Sequence, residues 1–567
     1  MRLTIRFAAL AALVLTVGCS QPAPQPAPKP AAPAKPALGI RANGDTTVGP
    51  DLEKATPEMK KAFEYIDAHI DDHVERFQKW VRQPSISNSG EGIPESAEMV
   101  KGMFDELGCQ ESKVYDVGTS EWGQPGNPVV YARCDQGAPK TVLIYWMYDT
   151  MPITQPDVWV VPPFEGRLVD GKTLNLPFPK ILIGRGAVNS KGPQITEFNA
   201  LMSMKAANGK LPVNVIFVAE GDEERMSMGL RKFMTSYPEL VKPADAMLMF
   251  GNQGMAGGAG MMTSSEGLMY IELTTSGTAW GRGPTRSDIH GVFKRTVDSP
   301  AWRHIKMLGT LVSDDGNTPL IKGFDEGRVP PTAQEMELIK AAASSIDLKQ
   351  AAENVGVARF IAEDPLAMMT MQRSGMALNL DGIWGGNMYA GGSGAILPNK
   401  ITSKHSIRYV PNMHSADILK KIRQHLDAKG YKDVQVRLIG DQPWTKGSSD
   451  TDLGHAIADT FDLFGVKHPP VSSLQSAYSS SSAALAGAWP AYLFTKDPQG
   501  DPNITPLGIP ICGAGIGYGG GAHAANEYYV IEGKDKVYGM AGAEKFVAAS
   551  LYNYAARPST TANKSGK

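Results

Sequence analysis

The chain carries no long block of like charge. Its formal net charge is only −2 over 567 residues, so it lacks the basic face that phosphate backbones select and is not expected to bind nucleic acid. Internal repeats are absent, which excludes a solenoid or propeller. Cysteine is scarce at four residues, too few for a disulfide framework in a chain this long. Apolar runs long enough to cross a bilayer are missing as well: the most apolar stretch, Phe7 to Val17, is shorter than the roughly 20 residues a spanning helix needs.

That stretch follows Arg2 and Arg6 and reads as a signal-peptide core. It runs into Leu15-Thr16-Val17-Gly18-Cys19, which looks like a bacterial lipobox, with Cys19 as the lipidated mature N-terminus; the alternative is an ordinary signal peptide and secretion. Residues 21–38 are almost all Gln, Pro, Ala and Lys, a composition that stays extended and suits a spacer between a lipid anchor and a folded body. The expectation is a cell-envelope protein facing the periplasm, touching the membrane only through Cys19. Of the other cysteines, Cys109 and Cys134 are either a pair or buried thiols, and Cys512 is left over.

Composition is otherwise that of a globular protein, with 42% apolar and 20% charged residues and a length that favours more than one folded unit. Helical periodicity covers residues 57–83, where His69 and His73 stand four apart, as a metal pair or on a solvated acidic face. Strands are expected at 128–133, 141–146, 213–218 and 246–250, and helices at 95–107, 194–207 and 228–240. This alternation predicts a mostly parallel sheet covered on both faces. After Gly267 the pattern changes. Strand 268–275, helix 301–311, strands 382–388 and 400–409, helix 416–429 and strand 433–439 follow a ferredoxin-like order, with a further helix at 333–343 set aside from it. From Asp450 the α/β pattern resumes with helix 453–463, a Ser-rich helix start at 479–486, strand 491–494 and helix 534–554. The implied units are a lipoprotein signal peptide (1–19), a Pro/Ala-rich linker (20–50), a catalytic domain in two halves (51–266 and 443–556), an inserted domain (267–442) and a disordered tail (557–567).

Functional loops of open α/β sheets leave the carboxyl ends of strands. Four segments in such places, and a fifth late in the chain, are rich in polar groups: Tyr145-Trp146-Met147-Tyr148-Asp149-Thr150-Met151-Pro152; Gly184-Arg185-Gly186-Ala187-Val188-Asn189-Ser190-Lys191-Gly192; Glu220-Gly221-Asp222-Glu223-Glu224; Phe250-Gly251-Asn252; and Gly521-Ala522-His523-Ala524-Ala525-Asn526-Glu527-Tyr528. In this order they resemble the zinc metallopeptidase family of aminoacylase, carnosine dipeptidase, glutamate carboxypeptidase and succinyl-diaminopimelate desuccinylase. Further pieces fit the carnosine-dipeptidase branch: Arg286 to Gly291, Ile321 to Asp325, Gly385-Gly386 and Arg408 to Asn412.

The resemblance implies an α/β fold with a mostly parallel catalytic sheet and an inserted ferredoxin-like lid and dimerisation domain. It implies Glu223 as general base, Asp149 beside the first ligand position, and His290 as an oxyanion-stabilising residue supplied by the second copy of a homodimer. It places metal ligands at Met147, Asn189, Glu224, Asn252 and His523, and substrate contacts at Arg408 and, in the Ser-rich segment, Ser480 and Ser481. Glu266 stands where the family usually has a basic residue.

Three of the five ligand positions depart from the pattern. Met147 replaces a His, Asn189 the bridging Asp, and Asn252 an acid. Zinc favours thiolate, imidazole and carboxylate donors, whereas a thioether suits copper(I) and a neutral amide donates weakly. With two fewer carboxylates, a pair of dications is expected not to be retained. At most one zinc ion is expected, held by Glu224 and His523 with Asn189. The alternatives are metal-free chemistry, including a Ser190–Lys191 dyad, and loss of catalysis. The resulting expectation is an exported hydrolase of dipeptides or N-acyl amino acids, or a pseudoenzyme that keeps the cleft as a ligand-binding or scaffold lipoprotein.

Overall fold

In the computed structural model, residues 37–344, 346–391, 393–475 and 487–558 are described. The signal peptide with Cys19, most of the linker and tail, and the Ser-rich segment with Ser480 and Ser481 lie outside the described residues. The folded body begins before residue 50, where the linker was expected to end. From Ile40 onward the chain is bonded to the folded body: Ile40 N–H donates to Asp71, Arg41 pairs with Glu532, and Asp45–Thr46 runs parallel to Lys534–Asp535.

Twelve strands and ten helices suffice to place the site. The strands are β1 (Glu111–Tyr115), β2 (Val129–Cys134), β3 (Thr141–Met147), β4 (Lys180–Ile183), β5 (Asn214–Glu220), β6 (Ala246–Asn252), β7 (Gly267–Ser276), β8 (Gly382–Trp384), β9 (Lys400–Tyr409), β10 (Gln435–Gln442), β11 (Ile511–Gly517) and β12 (Tyr528–Glu532). The helices are α1 (Pro57–Ala68), α2 (Ile70–Arg82), α3 (Ile93–Leu107), α4 (Lys191–Asn208), α5 (Met228–Ser236), α6 (Pro300–Leu308), α7 (Ala333–Ala343), α8 (Ser415–Ala428), α9 (Asp452–Leu463) and α10 (Met540–Ala556).

The central sheet has the order β11-β6-β3-β5-β2-β1. Its first four strands are mutually parallel, and β2 and β1 continue it antiparallel. The parallel strands read as unbroken apolar runs because both faces are covered. In β3, Trp146 meets Trp80 of α2, Phe104 of α3 and Phe198 of α4 on one face. Tyr145 and Met147 point to the other, into a cluster with Met249 of β6 and Leu230 and Phe233 of α5. A disulfide joins Cys109, just after α3, to Cys134 at the end of β2.

Between the halves of this sheet, residues 267–442 build a second, antiparallel one. Its order β8-β9-β7-β10, with α6 after β7 and α8 after β9, is the arrangement expected for a ferredoxin-like unit. Buried Met307 of α6 and Ile418 and Ile422 of α8 pack on Met269, Ile271 and Ile407.

Several expectations need correction. Residues 57–83 form two helices broken at His69, whose ring stacks on Tyr65. His73 is on neither a metal site nor a solvated face: it is buried, with Nδ1 2.7 Å from Glu544 of α10. The strand expected at 491–494 is a 3₁₀ turn, Ala491–Leu493, and the last helix begins at Met540 rather than 534. β11 and β12 were not expected at all. Ile511–Gly517 alternates small and apolar residues, which hides a buried strand whose glycines admit close neighbours.

The inserted unit contains a directional chain of hydrogen bonds. The Asn379 carbonyl only accepts, so His405 Nδ1 carries a proton and its Nε2 accepts from Ser403. The Ser403 oxygen then accepts from His304 Nε2, and His304 Nδ1 accepts from Thr275. Both rings are neutral, and a further proton on either breaks a link. Burial, with His405 adding to it, lowers His304 to about 4, and burial lowers His405 too. Between the unfolded value near 6.5 and the folded one, only the unfolded chain takes up the proton, so this contribution to stability is lost as pH falls through that window. A His304→Gln variant does not titrate there. The stability difference between wild type and variant, measured by denaturant unfolding, is expected to shrink by about 2–3 kcal/mol from pH 7 to pH 4; parallel curves would contradict the relay.

Candidate active site

Because β3, β5, β6 and β11 are parallel, their carboxyl ends open on one side of the sheet. Met147 is level with Glu220, and Asn252 with Gly517. The second and fifth loops arrive there for a different reason. β4 and β12 are antiparallel, with Ile183 opposite Tyr528, so the loop leaving β4 meets the loop entering β12.

Glu527 fastens these two loops. Its Oε1 accepts from Val188 N and Asn189 N at 2.9 and 2.8 Å, and its Oε2 from Gly186 N and Arg185 Nη1 at 2.9 and 2.8 Å. Both side chains are buried. Arg185 also donates to the His523 carbonyl. That bond supports a residue with φ of +64°, a conformation that costs a non-glycine residue about 1–3 kcal/mol.

The acidic turn after β5 is set from below. Asp149, fully buried, accepts from the backbone N–H groups of Glu223 (3.2 Å) and Glu224 (3.1 Å). Asp222 accepts from Asn127 N and Gly229 N. Gly221 has no alternative, because a Cβ there would lie 2.5 Å from the Tyr148 hydroxyl oxygen. The resulting 3₁₀ turn, Glu223–Arg225, presents both glutamates together.

The structure brings Asn189, Glu224 and His523 into direct contact. Asn189 Nδ2 donates to Glu224 Oε1 at 2.7 Å and lies 3.0 Å from His523 Nε2, which is 3.1 Å from the same carboxylate oxygen. Glu224 is 6% exposed and the imidazole 53%. The bond to Glu224 raises the pKa of His523, and burial opposes it. An amide donor therefore satisfies Glu224 at the position where the resemblance implies a carboxylate.

The other two implied ligands lie apart from this triangle. Met147, 4% exposed, belongs to the apolar cluster beneath the sheet end, where its thioether serves packing rather than a soft ion such as copper(I). Asn252 ends β6 with its side chain exposed. Among the described residues no cluster of three or more His, Cys, Asp or Glu side chains is placed to hold a metal ion. The donor set does not fit a pair of zinc ions; Glu224 and His523 are the two donors of suitable type for one.

The site is crowded with acids. Burial, followed by the charges of Glu224, Asp149 and Glu220, pushes the Glu223 carboxyl well up, against the charge of Arg408. Burial and Glu224 raise Asp149 to about 8. Glu220, which opens the third segment but was given no role from sequence, is fully buried and accepts from the Tyr145 hydroxyl; burial raises it strongly. Its position as the last residue of an apolar strand was the available signal.

Ser190 and Lys191 do not face each other. Ser190 Oγ donates to Asn189 Oδ1, while Lys191 Nζ donates to the carbonyls of Trp80 and Gln83 at the end of α2. Burial lowers that lysine to about 7. It ties α4 to α2 and forms no dyad. His290 is exposed, and its Nδ1 accepts from Val292 N–H, capping the 3₁₀ turn Gly291–Arg295. Arg408 of β9 pairs with Glu266.

Sequence reasoning gave Glu527 and Arg185 no role, although both stand inside the loops it singled out. Replacing Glu527 by Gln leaves Arg185 buried without a counter-charge and sets an amide against backbone donors. It is expected to lower stability by about 3–5 kcal/mol in denaturant unfolding. A change below about 1 kcal/mol would show that the clamp does not hold the two loops.

Comparison with known proteins agrees with this architecture. Residues 144–540 match the pattern of Peptidase family M20/M25/M40. The chain is 27% identical over 436 residues to the Beta-Ala-His dipeptidase of Rattus norvegicus, covering 72% of this chain and 82% of that one. It is 30% identical over 381 residues to the Cys-Gly metallodipeptidase dug1 of Schizosaccharomyces pombe, covering 65% and 75%. The solved structure of the di-peptidase Dug1p from Saccharomyces cerevisiae superposes with a TM-score of 0.71 at 24% identity, covering 88% of this chain and 99% of that one, which shows a shared fold. With the five loops converging as described, the chain belongs to peptidase family M20/M25/M40 and is a hydrolase of that family.

Proposed function

We propose that this protein is an exported hydrolase of dipeptides or N-acyl amino acids that works with at most one metal ion. The observation that carries the reading is the Glu223–Glu224 turn, held on Asp149 and facing His523. Relatives named for Beta-Ala-His and Cys-Gly cleavage support the substrate class. The Cys109–Cys134 disulfide supports an oxidising compartment. That agrees with the apolar segment before Cys19 and with a lipid-anchored, periplasm-facing chain, or a secreted one if Cys19 is unmodified.

In this reading Glu223 takes a proton from the water that attacks the amide carbon and returns it to the leaving amine. Arg408, with Ser480 and Ser481, contacts the substrate. His290 of a second copy in a homodimer donates to the oxygen that becomes negative. Glu224 and His523 would hold a single zinc ion, with Asn189 turned to offer its carbonyl, and that ion would supply Lewis acidity to the attacking water. No step is assigned to a second ion.

One observation favours the other reading, a pseudoenzyme that binds ligands. Asn189 already donates to Glu224, and His523 Nε2 lies 3.1 Å from the same carboxylate oxygen, leaving an ion to compete for its two donors.

Metal content after zinc loading and hydrolysis of dipeptides and N-acyl amino acids separate these readings. The expected result is no more than one zinc per chain and an activity that falls about 10²–10⁴-fold in Glu223→Gln. Two tightly held zinc ions would contradict the single-ion reading. Absence of hydrolysis with retained ligand binding would establish the pseudoenzyme. The joint substitution Met147→His, Asn189→Asp and Asn252→Asp is expected to raise zinc occupancy, and no gain would overturn the ligand assignment.

A further inference from the structure

Among the described residues of the inserted unit, Arg408 is a cation whose charge acts on the acidic turn. Arg408 lies on β9 opposite Leu268 of β7, and its charge is felt at both Glu223 and Tyr270. Its side chain is 45% exposed. The residue before β7 is Glu266, whose carboxylate is only 12% exposed and accepts from Arg408 Nη1. A second guanidinium, buried Arg373 at the end of helix Pro365–Ser374, also acts on Glu266. Burial raises Glu266 to about 7 while both guanidiniums oppose it, and the carboxyl is held in place on a guanidinium whose charge is felt at Glu223.

A ligand carboxylate and a fixed protein carboxylate compete for the same guanidinium, and like charges brought together on it repel. We propose that Glu266 is a specificity-determining residue. Its carboxylate occupies Arg408 in place of a ligand carboxylate, so within the substrate class proposed above the cleft favours members whose end facing Arg408 is uncharged, such as the carboxamides, over those that place a free carboxylate there.

The inference rests on the reading of this cleft as a ligand site and needs no catalysis, so binding tests it in an active or an inactive protein. N-acetylalanine and its carboxamide are the probes, titrated against the full chain by ligand-observed NMR. Wild type binds the carboxamide at least as tightly as the carboxylate. Glu266→Gln, nearly the same shape without the charge, shifts the ratio toward the carboxylate by about 10- to 100-fold. In an Arg408→Gln background the same Glu266→Gln change leaves the ratio within about 3-fold, which a general packing effect of position 266 would not do. Should Glu266→Gln fail to fold, Glu266→Asp gives a smaller shift of the same sign, because the shorter side chain holds Arg408 less well.

An unchanged ratio in the folded variant overturns the inference alone, as does a wild-type preference of more than 10-fold for the carboxylate. Binding of neither probe to any variant overturns the ligand-site reading and the inference together.

Discussion

The geometry of the site depends on one buried carboxylate. Glu527 gathers three backbone N–H groups and a guanidinium from the loop after β4, and its own loop carries His523. Without that bond set, Asn189 and His523 would sit on two glycine-containing loops with no reason to meet. Such a pair is costly to break, because removing one partner leaves the other charge buried without its hydrogen-bonded counter-charge. The antiparallel pairing of β4 with β12 makes the clamp possible, by delivering two loops 340 residues apart in sequence to the same place.

Around this clamp the dominant effect is the burial of acids, with their mutual repulsion second. Asp149, Glu220, Asp222 and Glu223 all have raised pKa values, with burial the largest cause in each. Each is partly offset by donors: backbone N–H groups for Asp149 and Asp222, a tyrosine hydroxyl for Glu220, and the more distant Arg408 for Glu223. In such surroundings an amide at 189 is physically sensible. It satisfies Glu224 with a hydrogen bond and adds no further charge.

Much of this was legible in the sequence where side chains obey periodicity. Three of the four parallel strands, β3, β5 and β6, and the helices α3 and α4 were expected within a few residues, because apolar runs and 3.6-residue spacing report burial directly. The ferredoxin-like order was legible for the same reason. What failed was local. The glycines of β11 look like a loop until a neighbouring strand is known, and His73 looks solvated until Glu544, distant in sequence, arrives opposite it. The candidate site was legible as five polar loops, and their convergence follows from the strand directions. The partners of each polar group were not: nothing in Glu527 or Glu266 tells that one seizes a backbone and the other an arginine. Those choices depend on three-dimensional neighbours, not on residue type.

The packing of Met147 bears on how this site could change. The thioether is sealed among Tyr145, Met249 and Phe233, so a lone imidazole returned there would be stripped of water with no ion to hold. A lone aspartate at 189 would confront Glu224 directly. Each single substitution toward the ligand pattern that the resemblance implies is therefore unfavourable until the others are made, which acts as a ratchet: a two-ion site is reached from this packing through several less stable variants rather than one step.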